Sequence, residues 1–316
     1  MDIQELQKQY AGLPQVAALA KAVDGGKDRV VTLDGLLASA APMVFAAMAL
    51  KTSARLLFVM QDADEAGYFY HDLCQVMGTE QVLFFPSSYK RAMKYGRKDA
   101  ANEILRTEVL TRTPPSLPEG EEGLRASDSA RPSSPSGRSG GVYIVSYPEA
   151  LAEMVVARRQ MDARRVTLEQ GQTIQVDDIC QRLREFGFHE MDYVYEPGQF
   201  ALRGSILDVY SYGNEYPYRI DFFGDEIDSI RLFEVEDQLS KGRVDRADIV
   251  PELSAEEEKE SVLRFLPDDT LLVMKDAQFV RESIERIYQD GFSQQALQER
   301  LAEATEMEQR QIEREM

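Results

Sequence analysis

The sequence has no tryptophan, and only two cysteines and two histidines in 316 residues. Cys74, Cys180, His71 and His189 cannot supply a four-ligand Cys/His zinc site. So few thiols fit a reducing compartment without demanding one. No apolar run approaches the roughly 18 residues of a membrane-spanning helix. The opening MDIQELQKQY is polar and lacks the basic start and apolar centre of a secretion signal. Positive charge is also scarce: 36 Lys and Arg against 55 Asp and Glu leave a net charge of −19. That field has no long-range pull on nucleic acid or on an anionic membrane, so a DNA contact would need a local basic patch. These absences predict a soluble, cytoplasmic protein without a membrane partner. No Ser-His-Asp, Cys-His or distinctive carboxylate pair stands out, and His189 beside Glu190 reads as a solvent-facing polar residue rather than a catalytic base.

What is present is enough chain for two or three domains. Short apolar runs RVVTL (29–33), RLLFVM (55–60), VLFF (82–85) and VYIVS (142–146) alternate with helix-like stretches near 42–51, 63–77 and 99–112. That order predicts a doubly wound α/β domain with a mostly parallel sheet over residues 1–148. Residues 114–140 interrupt it: 16 of these 27 are Pro, Gly or Ser. Such a stretch buries too little apolar surface to offset its ordering entropy, and reads as an inserted surface loop or a tether. Residues 149–238 change style, with helices predicted over 149–159 and 177–188, then alternating runs punctuated by PG, GN and GDE. This is the mark of a small α+β domain with antiparallel strands. Residues 239–316 are predicted to return to the first domain through FLPDDTLLVMKDAQ, read as a buried strand. They end in a charged helix without a stop signal, expected to continue further.

GLLASAAP (35–42) stands between a predicted strand and a predicted helix, where a phosphate-binding loop belongs. Such a loop uses a second glycine for close backbone approach, a lysine for the phosphates and a hydroxyl for Mg²⁺. Gly35 keeps the first position, while Ala40, Ala41 and Pro42 take the other three. In LLVMKDAQ, Lys275 occupies the place of the aspartate that would hold Mg²⁺, followed by Asp276. Both halves of a nucleotide site have lost their chemistry. No cofactor, no metal and no ATP hydrolysis are expected, an ATPase with an unusual loop being the rival.

Two other stretches carry candidate contacts. YKRAMKYGRK (89–98) joins Lys90, Arg91, Lys94, Arg97 and Lys98 to Tyr89 and Tyr95. It reads as a solvated turn, as a single-strand nucleic-acid contact, or as a docking point for an acidic partner. In QFALRGSILD, Ala201 and Arg203 should share one strand face while Phe200 and Leu202 take the other. In YPYRIDFFGDE, Arg219, Asp221 and Phe223 alternate with Tyr218, Ile220 and Phe222. Arginines, a carboxylate and aromatics on adjacent strands suit a protein-binding hot spot. They equally suit cross-strand ion pairing of Arg203 or Arg219 with Asp221 or Asp208.

The run from GFHEMDYVYEPGQF through RGSILDVY and RIDFFGDEIDSIRLF resembles the UvrB-like N-terminal region of the bacterial transcription-repair coupling factors (Mfd). FFPSSYKRAMKYGRKDAANEILRTEVL, VYIVSYPEAL and FLPDDTLLVMKDAQ resemble it more loosely. The resemblance implies a domain 1A, an inserted domain 2 and a returning domain 1B, with a degenerate nucleotide site. Between Tyr89 and Glu108 the chain is too short for the DNA-clamping hairpin of UvrB. The resemblance also implies that domain 2 binds UvrA through Arg203, Arg219 and Asp221, with Phe200 as the apolar contact. Ala201 stands where UvrB has a further arginine. RNA polymerase and DNA would be engaged only by domains absent from this chain, which would also mask the UvrA surface in an autoinhibited parent.

Overall fold

The computed structural model describes residues 2–25, 30–36, 39–89, 99–113, 142–253 and 258–291, with 293, 295, 296 and 298. Two compact units are present, one from residues 1–87, 113–153 and 266–297, the other from 88–112, 154–265 and 298–316. The fold is mixed α/β: a parallel four-stranded sheet in one unit and a separate, mostly antiparallel sheet in the other.

The first unit contains α1 (Ile3–Ala11), α2 (Pro14–Asp24), α3 (Ala40–Met48), β1 (Leu56–Val59), α4 (Ala63–Met77), β2 (Val82–Phe84), β3 (Tyr143–Ser146) and α6 (Pro148–Ala152). It is completed by β14 (Leu271–Met274) and α10 (Ala277–Gly291). Its sheet order is β14-β1-β3-β2, all pairs parallel. β1 and β3 are buried along their whole length, as continuous apolar runs in a parallel sheet should be. Phe58 on β1 meets Phe45, Phe69 and Tyr143 at ring-centroid distances of 4.9, 5.0 and 5.6 Å. α4 starts at Asp62, whose carboxylate accepts from Glu65 N at 2.8 Å, while Glu65 Oε2 accepts from Gln61 N at 2.9 Å. This reciprocal capping satisfies donors that the helix leaves unpaired.

Two expectations fail in this unit. Residues 30–33 form no strand: Val30 is 98% exposed, because the sheet's four places are taken by other segments and an extended run without a ladder partner is not a strand. β14 does join the sheet, but at its edge and only partly covered, with Leu272 51% exposed, so it is not the buried strand predicted.

The second unit contains α5 (Ala100–Arg112), β4 (Met154–Val156), α7 (Arg158–Ala163), β5 (Val166–Glu169), α8 (Val176–Glu185), β6 (His189–Glu190), β7 (Gln199–Arg203) and β8 (Ile206–Val209). It continues through β9 (Tyr218–Phe223), β10 (Glu226–Phe233), β11 (Ser240–Val244), β12 (Arg246–Ile249), β13 (Lys259–Ser261) and α9 (Val262–Phe265). Six strands order as β11-β10-β9-β8-β7-β6, and β5–β12 and β4–β13 form separate antiparallel pairs. Gly204 and Gly224, at φ +62° and +63°, open the two-residue turns of the β7–β8 and β9–β10 hairpins, a conformation that side chains disfavour. One sheet face packs Phe200, Leu207, Val209, Tyr218, Ile220 and Phe222 into a core with Ile179, Cys180 and Leu183 of α8.

The helix predicted over 149–159 is broken. Glu153 leaves the helical region at ψ 137°, and Met154–Val156 pair with β13 as a strand. The ladder outweighs helix propensity where two valines are buried between partners. Residue 238, the expected end of the α+β domain, falls between β10 and β11, and β12 supplies Ala247 and Ile249 to the same core. α5 groups with this unit as well, although its position in sequence suggested the parallel sheet. An amphipathic helix specifies that it buries a face, here including Val109 and Leu110, and not which sheet receives it.

Candidate functional site

The β7–β8 turn sets Ala201 opposite Asp208 and Arg203 opposite Ile206. The next ladder sets Asp208 opposite Arg219 and Ile206 opposite Asp221. Because side chains alternate, Arg203, Asp208, Arg219, Asp221 and Phe223 all stand on the sheet face that α8 does not cover. Ala201 on that face is sealed by Val194 and Phe233 in a small second cluster.

Asp208 is the organising residue. Its side chain is fully buried, yet it meets both arginines: Arg219 Nε donates to Oδ1 at 2.7 Å and Nη2 to Oδ2 at 2.8 Å, while Arg203 Nη2 donates to Oδ2. A planar guanidinium gripping a carboxylate through two bonds is the strong form of this interaction. The Arg219 side chain is only 15% exposed. Its guanidinium lies 4.3 Å from the Phe233 ring centroid, and Nη1 donates to the Gln238 carbonyl at 3.1 Å. Hydrogen bonding to Asp208 raises its pKa above the ordinary arginine value, outweighing the opposing effect of burial, with the nearby charges of Asp208 and Asp221 adding in the same upward direction. Gln238 holds its carbonyl there from a backbone φ of +60°, anchored by its own Nε2 on Val235 O at 2.9 Å. Arg203 is more open. It donates to Asp192 O at 2.9 Å and lies 4.9 Å from the ring of Tyr193, a cation–π contact.

Of the expected contact residues, two need correction. Phe200 is on the opposite face, fully buried in the α8-covered core with Arg184 above its ring, so it offers no surface contact. Asp221 does not complete the arginine pair. It lies opposite Ser229 and accepts from Ser229 Oγ at 3.1 Å and from Arg231. The aromatic that does project from this face is Phe223, 82% exposed. The i, i+2 alternation from Arg219 to Phe223 was the signal for it. Asp208 is one of the two carboxylates expected to pair with these arginines across strands; that it takes both, and that Gln238 supports Arg219, depends on strand register.

The residues read as a degenerate nucleotide site are engaged in local interactions. Gly35 has φ +80°, and Ser39 Oγ donates to Asp72 of α4 at 2.9 Å. Ala40 and Ala41 open α3, and Pro42, buried in its first turn, offers no backbone donor. Lys275 forms an ion pair with Glu65, also on α4. Asp276 Oδ1 accepts from Gln278 N at 2.9 Å and Phe279 N at 3.0 Å, capping α10. Lys90, Arg91, Lys94, Tyr95, Arg97 and Lys98, and the 114–140 segment, lie outside the described residues. Among the described residues no helix is long and apolar enough to cross a membrane.

Residues 166–254 match the family model of the UvrB interaction domain, from β5 to just beyond β12, and so take in α8 and the whole arginine-bearing sheet. This chain is related to the transcription-repair-coupling factors. It is 30% identical over 148 residues to that protein of Escherichia coli K12, covering 46% of this chain and 13% of the relative. To the Bacillus subtilis 168 protein it is 26% identical over 209 residues, 66% of this chain and 16% of the relative. To a Staphylococcus aureus protein it is 28% identical over 227 residues, 72% and 17% respectively. The matches therefore span about a sixth or less of these curated relatives. The Asp208 network lies inside the UvrB interaction domain.

Proposed function

We propose that the UvrB interaction domain of this chain is a non-catalytic docking platform that recruits UvrA for transcription-coupled nucleotide excision repair. The observation that carries this reading is the sheet face opposite α8, where partly exposed Arg203, anchored on buried Asp208, shares the face with projecting Phe223. Positioned cations beside an exposed aromatic suit an acidic partner surface with an apolar centre. Arg203 is the residue to test, since Asp208 keeps both bonds from Arg219 when Arg203 is removed. Arg203→Ala is expected to weaken UvrA by about 2 kcal/mol, some thirtyfold, in calorimetric titration, with the thermal midpoint little changed. Unaltered affinity in that variant would remove the assignment of this face.

The nucleotide-site remnant serves as scaffold in this reading. Its lysine is held by Glu65 and its aspartate by a helix terminus, so neither is poised for a triphosphate or for Mg²⁺. Equilibrium dialysis with labelled ATP and Mg²⁺ is expected to give no saturable binding at millimolar nucleotide. Saturable, Mg²⁺-dependent uptake would revive a nucleotide-dependent activity.

A further inference from the structure

The arginines of the uncovered face do not end at Arg219. The ladders place Arg219 opposite Arg231 and Arg231 opposite Arg243, so three arginines stand in one row across β9, β10 and β11. Neighbouring strands are about 4.8 Å apart, so the row spans about 10 Å. Like charges directly opposite on a sheet repel. At the inner end the repulsion is offset, since Asp208 holds Arg219 and Asp221 takes Nη2 of Arg231. At the outer end it is not. Arg231 Nε is buried with no acceptor among the described residues. Arg243 is exposed and, among the described residues, has no ion-pair partner. Its neighbour on the same strand, Lys241, is already used: it lies 3.8 Å from the Tyr216 ring and 3.1 Å from Glu234. Guarding an edge strand against stray pairing requires a charge on β11 alone. That does not account for the unsatisfied donor one strand inward.

We infer that Arg231 and Arg243 form a second anchor for carboxylates of the same protein partner, extending the docking face from the Arg203 side of the sheet to its β11 edge. This rests on the reading of that face as the UvrA platform. A carboxylate seated against exposed Arg243 and the outward part of the Arg231 guanidinium, whose side chain is 31% exposed, would relieve the repulsion between them. Protein carboxylates fit better than nucleic-acid phosphates. Asp221 and Glu234 stand near the row and would oppose a polyanion threading past it, and the whole chain carries −19.

The test uses the 316-residue chain and purified UvrA, with Arg243→Glu, Arg243→Lys and Arg203→Ala beside the wild type. Arg243 is exposed at the sheet edge, so its variants should keep the wild-type melting temperature. Arg243→Glu is expected to lose at least tenfold in UvrA affinity, Arg243→Lys to lose less, and the wild-type affinity to fall with added salt more steeply than that of Arg243→Glu. If Arg203→Ala weakens UvrA while Arg243→Glu binds as tightly as wild type, the second anchor is overturned and the platform stands. If the wild type does not bind UvrA, the platform itself fails, and the anchor with it. A single-stranded oligonucleotide that binds the wild type and not Arg243→Glu, with UvrA affinity unchanged, would overturn the carboxylate assignment in favour of phosphate.

Discussion

Arg219→Glu is expected to destabilise the second unit severely rather than merely to weaken a partner. Asp208 is buried and depends on Arg219 for two of its bonds, and the substitution sets a second carboxylate against it. Removing one partner of a buried ion pair costs about 3–5 kcal/mol, and the added repulsion increases that. Against a typical domain stability of about 5–15 kcal/mol, this removes a large part of the reserve. Urea titration followed by far-UV circular dichroism should show the β-rich unit melting at a much lower denaturant concentration. A variant with wild-type stability and reduced UvrA affinity would instead mean that Arg219 is held loosely and is available to the partner. The same reasoning separates the two arginines, which look equivalent in sequence. Arg219 chiefly holds the face together, while Arg203, about a third exposed, is the one free to leave its internal bonds for a partner.

Phe200→Ala should be comparably damaging, for an apolar reason. The ring is fully enclosed by the core under α8, and truncating a buried phenylalanine costs about 3–5 kcal/mol in lost transfer energy and cavity. A fall of more than about 10 °C in the melting temperature of the second unit is expected for a domain of this size. Any loss of UvrA binding should follow the unfolded fraction as temperature is varied. If the melting temperature were unchanged while affinity fell, Phe200 would be a surface contact and its buried position would be wrong. Phe200 also shows why a motif alone misplaces roles: it stands three residues before Arg203, and one step of strand alternation sends it to the other side of the sheet.

Much of the framework was legible in the residues. β1, β2 and β3 stand out as short, mostly apolar runs, and α4 as an amphipathic stretch opened by a capping aspartate. The glycine of FGDE marks its hairpin in the sequence, and Gly204 of RGSI closes the β7–β8 hairpin in the structure with the same positive φ. Failures cluster where a segment's fate depends on a distant neighbour. RVVTL has the composition of a strand and finds no ladder. Residues 154–156 have a helical context and become a strand because β13 pairs with them. LLVM joins the sheet at an edge, so its apolar residues are less covered than composition implied.

The sequence by itself determined the alternation that puts Arg203, Arg219 and Phe223 on a common type of face, and that Ala41, Pro42 and Lys275 stand where a triphosphate site would need its lysine, hydroxyl and acid. Both are local properties, set by side-chain period and by the chemistry of single residues. Only the tertiary structure decided that Asp208 rather than Asp221 unites the two arginines, that Phe200 is sealed away, and that Arg231 and Arg243 continue the row. Those facts follow from the register across β8, β9, β10 and β11. β8 and β9 are joined by the irregular 210–217 segment, and the β9–β10 and β10–β11 ladders each carry a register shift. The FGDE turn sets the β9–β10 offset only as far as the shift between Ile227 and Ser229; beyond it, and across β8–β9 and β10–β11, the offset is settled by which pairing buries the core and satisfies the charges together.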